Sequence, residues 1–320
     1  MRAGIGGGAL AVCVAVVLLA SIGGVARAAS AQELEVRLLF SAPGYSPEQP
    51  FQRPAAVVLS EANRVVYVAD PGDHKVVVLS LQGVPGFTIE VAKQLDPVSM
   101  AVGPGGRLFV ADRAAAAIRV FSSAGKIELE IRLAEFGEGR PIQVAGITLD
   151  TKGNLYVVDQ ENCQVLVLDE QGRLKLRIGR RGEGRGEFKR PEDVAVDRFE
   201  RIYVTDSLGT PVQIFDAHGK YSHSIGRRGE GLEDLRLPTG IFIDRFDQIW
   251  LVDTYGHKVV VYNSFGLPLR QFGDFGQISG HLYYPVDLTL DGFGRIYVLE
   301  REARRLQVFS FDNPLERFAR

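Results

Sequence analysis

Short apolar runs, four to six residues long and bounded by turn residues, recur along the chain after residue 53. One run in each cycle carries an aromatic residue: Tyr67, Phe109, Tyr156, Tyr203, Trp250 and Tyr297, spaced by 42, 47, 47, 47 and 47 positions. An earlier run begins at Pro54, Pro97, Val144, Pro191, Pro238 and Pro285. A third follows the aromatic one (VVVL, IRVF, VLVL, VQIF, VVVY, LQVF), and a fourth, weaker one closes the unit, as in LKLRIG and YSHSIG. Six units of four short strands result. Such strands need cover on both faces, and one unit cannot bury itself. Radial stacking supplies the cover and leaves only short edges. The expected fold is all-β, a six-bladed β-propeller of four-stranded antiparallel blades over residues 54–320. A β-solenoid, with its shorter period, fits less well.

Composition agrees with many short strands: 36 glycines, 2 methionines and 46% hydrophobic residues in 320. The net charge of −2 argues against a partner held by bulk positive charge, and no nucleic acid is expected. Residues 1–31 read as an export signal: Arg2, an uncharged run to Ala26 that is most apolar over residues 9–20, then small residues around Ala28 and Ala31. The uncharged run is also long enough for an uncleaved anchor. An extracytoplasmic protein, periplasmic or secreted, is expected, monomeric and with no transmembrane domain once processed. Residues 32–53 form an N-terminal segment. Its VRLLF (36–40) shares a register with PLERF (314–318) one period on, and is expected to close the sixth blade as its outermost strand. Beyond Cys13, only Cys163 remains, so no internal disulfide forms.

The stretch PEDVAVDRFERIYVTDSLGTPVQIFDAHGKYSHSIGRRGEG (191–231) resembles the NHL-repeat family of six-bladed propellers, in P-x-x-V-A-V-D, I-Y-V-x-D and Q-I-F-D-x-x-G. The resemblance extends over residues 54–320. It implies the fold but not one chemistry, because such propellers include lyases, lactonase relatives, sensors and RNA binders, with function in the loops.

Asp70, Asp112, Asp159, Asp206, Asp253 and Glu300 end the second strand of every unit. Repetition points to a structural role, accepting backbone N–H groups. The same holds for Asp150, Asp197, Asp244 and Asp291 after the first strand. The amidating lyases of the resembled family gather histidines around zinc, but the five histidines here share no equivalent inner positions. Glu192, Asp193 and Asp287 stand at the start of inner strands, where a divalent cation such as calcium is the candidate ligand; a solvated rim is the plainer reading. The glycine-rich linkers 179–191 and 226–238 carry Arg180, Arg181, Arg185, Arg190, Arg227 and Arg228, a candidate patch for carboxylate or phosphate. Against it, Glu183, Glu187, Glu230, Glu233 and Asp234 stand ready to neutralise these cations.

Strong repeats without a catalytic motif lead to the expectation of a non-enzymatic scaffold with no cofactor, binding an envelope or extracellular protein, or an acidic small ligand, through blade-junction loops. The alternative is a metal-dependent lyase or lactonase-like enzyme with its site at the channel mouth.

Overall fold

The computed structural model describes residues 32–311 except 47, 91–94 and 232–233. Residues 1–31, expected as an export signal, and the segment 314–318 lie outside these residues. Six antiparallel sheets follow one another in chain order, each laid out from an inner first strand to an outer fourth. Blade 4 is representative: Pro191–Val196, Ile202–Asp206, Val212–Phe215 and Tyr221–Ile225. The fold is a six-bladed β-propeller. In blade 6 the inner strands are Pro285–Leu290, Arg295–Glu300 and Arg305–Phe311, and the fourth comes from the N-terminal segment. There Val36–Ala42 pairs antiparallel with Arg305–Phe311. Just before it, Gln32–Glu33 adds a parallel strand to the outer edge of blade 5.

The second and third strands are buried on both faces, which explains their unbroken apolar character. Clusters such as Tyr156, Val158, Val165, Phe188, Val204 and Phe215 fill the gap between successive blades. Each aromatic marker is therefore an interblade residue. Tyr156, Tyr203 and Tyr297 donate to Asp150, Asp197 and Asp291 of their own blade, and Trp250 Nε1 donates to Asp244 at 3.0 Å. Burial beside a carboxylate raises the pKa of all three tyrosine hydroxyls, so they remain donors.

The acid ending each second strand is a clamp. Asp206 accepts from Lys189 N–H and Arg190 N–H at 2.7 and 3.0 Å, and from Leu208 and Gly209 in the following loop. Asp70, Asp253 and Glu300 hold the preceding linkers in the same way. Among the described residues no helix is long and apolar enough to cross a membrane.

Candidate functional site

The inner strands begin, and the second strands end, around one mouth of the central channel, which opens into a cavity of about 930 Å3. Two registers of the repeat line it all the way round. One is the residue after the repeated acid: Pro71, Arg113, Gln160, Ser207, Thr254 and Arg301. The other lies just before or within the start of the inner strand and supplies Arg53, Arg190, Glu192, Asp193, Tyr284 and Asp287. An irregular register after the first inner-strand residue, as between Pro191 and Val194 and between Pro285 and Asp287, turns the aspartates into the channel.

Asp193 and Asp287 belong to an alternating ring. At their register the blades carry Ala56, Ser99, Gly146, Asp193, Gly240 and Asp287, so acceptors stand in blades 2, 4 and 6. Each acceptor reaches the next blade's inner strand: Ser99 Oγ takes Ile147 N–H, Asp193 takes Ile241 N–H, and Asp287 takes Val57 N–H, at 3.0, 3.1 and 2.8 Å. The small residues leave room for the approach. A Cβ on Gly240 would fall 2.9 Å from Asp287 Cα, and one on Gly146 would strike the Asp193 carboxylate. The second oxygen of each aspartate accepts the N–H of the following residue.

Burial in the channel wall drives both carboxyls towards the protonated form, and the charge of Asp287 adds to the effect on Asp193. Asp287 is pushed up to about 7, with the bonds from Val57 and Leu288 opposing the shift. Glu192 is placed differently. It accepts from Arg190 Nε at 3.0 Å, Gln160 Nε2 at 3.0 Å and the Ser207 hydroxyl, which gather three blade-3 and blade-4 groups on one carboxylate. The three carboxylates expected to hold calcium are thus committed to separate bonds. Among the described residues no group of three His, Cys, Asp or Glu side chains is arranged for a metal ion.

Two of the five histidines support loops. His74 Nδ1 lies 2.8 Å from Leu95 O, and His257 Nδ1 accepts Tyr284 N–H at 3.2 Å, with burial lowering the His257 pKa. Both sit at positive φ, as Ala116, Cys163 and Arg304 do at the same register, so this position serves a tight turn. Cys163 is buried, its thiol near the carbonyls of Gln160 and Lys189, and burial raises its pKa.

Of the linker arginines expected as a patch, only Arg190 lines the mouth. Arg180 pairs with Glu187 and Arg227 with Asp234; Arg181 donates to Glu161 O, and Arg228 to the carbonyls of Asp206, Gly209 and Arg236. Arg185 is exposed on its loop. The cations that do converge are Arg53, Arg113 and Arg301. Arg53 and Arg113 share Asp96 at 3.4 and 3.0 Å. The Arg301 side chain is open to the lumen and makes no hydrogen bond or ion pair among the described residues. It is subject to the charges of Glu192, Glu302, Arg53 and Arg113, and the surrounding protein disfavours its charged form. Tyr255, Tyr283 and Tyr284 form an edge-to-face wall beside it, with ring centroids 4.9 to 5.9 Å apart.

A family model described as a 6-bladed beta-propeller matches residues 138–209 and 198–271. No curated protein matches the chain in sequence. Three solved propellers are similar in structure. A protein of unknown function from Bacteroides thetaiotaomicron gives a TM-score of 0.67 at 15% identity, covering 88% of this chain and 73% of that one. Virginiamycin B lyase from Staphylococcus aureus gives 0.61 at 13% identity over 88% and 100%. A gluconolactonase from Xanthomonas campestris gives 0.64 at 18% identity over 90% and 99%. At such identities the likeness shows the fold alone, that of a six-bladed propeller. The expectation of a non-enzymatic scaffold is corrected by this finding: propellers matched over nearly their whole length are enzymes. Missing catalytic motifs carried that expectation too far, because a channel-mouth site draws single residues from many blades and leaves no contiguous motif.

Proposed function

We propose that the chain is an enzyme of the lyase or lactonase type, with its site at the channel mouth and a small anionic substrate. The observation that carries this reading is Arg301, unpaired in the lumen within the field of a carboxylate, Glu192, that three donors hold in place. Lactone hydrolysis and elimination share two needs: a base to take a proton, from water or from carbon, and a cation for the oxyanion or enolate that develops. Glu192 is the base in this reading and Arg301 the cation. Arg53 and Arg113 draw the substrate's negative charge to the same side, and the tyrosine wall packs against its ring. The lyase and gluconolactonase likeness in fold supports the reaction class. The repeat pattern supports a place among NHL-like propellers, and the arrangement of residues 1–31 supports export, which N-terminal sequencing of the native protein would check.

The test is turnover of two small anionic probes by the purified chain: an aldarate monolactone, followed by acid release, and a short uronate glycoside, followed by the absorbance of the unsaturated elimination product. One of them should be consumed, and Glu192→Gln should reduce kcat by about 10²–10⁴-fold. No turnover of either, or an unaltered Glu192→Gln enzyme, would overturn the proposal.

A further inference from the structure

The face opposite the channel mouth is built from the turns that join first to second and third to fourth strands. Several are tipped by large apolar side chains. Phe199 is 60% exposed, Phe265 83%, Leu267 57% and Phe293 80%. The geometry that exposes them is shared. An Asp or Asn opens each turn and accepts the N–H two residues on, from Phe199, Phe265 and Phe293 at 2.9, 3.0 and 2.9 Å, so the tip side chain is held outward on a fixed turn. The matching tip in blade 3 is Lys152 and in blade 2 Gly105, so the aromatic tips occupy one sector, blades 4 to 6.

Side chains tie neighbouring turns of this face together. Arg201 of the Phe199 turn reaches Ser264 O in the Phe265 turn, and Arg198 pairs with Asp247 in the neighbouring first turn of blade 5. Arg295, beside Phe293, reaches Leu81 O in blade 1, next to the 61%-exposed Val84. Isolated surface apolar residues need no explanation, whereas several large ones presented on the same side of one face mark a binding face.

The position of the N-terminus identifies what this face meets. Gln32–Glu33 pairs parallel to Pro268–Phe272, with Gln32 opposite Arg270. The chain therefore comes to Gln32 from the side of the Phe265–Leu267 turn, in the middle of the aromatic sector. Upstream in the sequence stands the uncharged run 3–26, long enough to enter a bilayer. We propose that this sector rests on a lipid bilayer to which the chain's own N-terminal run tethers it, with the channel mouth turned away from the membrane. Exposed phenylalanines suit the boundary between headgroups and acyl chains. The neighbouring Arg201 and Arg295 are held by Asp197 and Asp291 of their own turns, so the face meets lipid chiefly through its aromatic tips. The apolar segment holds the chain at the bilayer, and the aromatic face sets which side of the propeller meets it.

The test uses the full chain reconstituted in vesicles of equal parts zwitterionic and anionic phospholipid, with and without brominated acyl chains. Phe265→Trp, Phe293→Trp and Phe199→Trp place reporters on three turns of the face, and Ile278→Trp on a loop at the mouth side serves as control. The buried Trp250 contributes a constant background. Emission from at least two of the three reporters should fall by about half or more in brominated vesicles while the control stays unchanged. Quenching of none of the three, or equal quenching of the control, would overturn the proposal. So would protection of the three reporters by a protein in an envelope extract without lipid quenching.

Discussion

Asp287 faces the lumen, yet both its oxygens serve backbone donors in two blades, and its proton affinity is raised until it titrates near neutrality. A carboxyl that holds its proton more tightly in the fold than in the unfolded chain favours the native state while protonated. That contribution is complete below the ordinary carboxylate range, near pH 4, and is lost as pH rises through about 7. Asp193 shifts in the same direction. Melting temperature should therefore fall by several degrees between about pH 5 and about pH 8. Asp287→Asn, which cannot ionise, should flatten that slope even though it surrenders one acceptor. A wild-type melt independent of pH over this window would contradict the assignment.

At the scale of elements, closure depends on a strand from the far end of the chain. Val36–Ala42 covers Arg305–Phe311, and its inward residues Val36 and Leu38 pack with Trp250, Phe272 and Phe309 between blades 5 and 6. Deleting residues 32–42 would leave blade 6 three-stranded with an open edge. Its melting temperature should drop by about 10 °C or more, measured by circular dichroism, since several kcal/mol of burial go with the strand. An unchanged melt would mean that the strand is dispensable.

Across the whole molecule, the blades were legible because burial on both faces imposes the same apolar run in every unit, and the period of 47 repeats that demand. The clamp acids were legible for the same reason. The site was half legible. Asp193 and Asp287 stood out at the start of inner strands, but their bonds to the neighbouring blade depend on a ring geometry that no single unit displays. Arg113 and Arg301 were missed, although both follow the repeated acid directly, as Pro71, Gln160, Ser207 and Thr254 do; tabulating that register alone would have outlined the mouth. The linker arginines attracted attention by their density. Density was a poor guide, because glycine-rich loops have many unsatisfied carbonyls and acids of their own, which took up Arg180, Arg181, Arg227 and Arg228.

The two sets of arginines make opposite predictions about where chemistry happens. On whichever probe the protein turns over, kcat/KM should be compared for Arg301→Ala, in the mouth, and Arg180→Ala, in the linker. Arg301→Ala should lose about 10²-fold or more, while Arg180→Ala stays within about threefold of the unaltered protein. Full activity in Arg301→Ala, with the loss confined to Arg180→Ala, would contradict a site at the channel mouth.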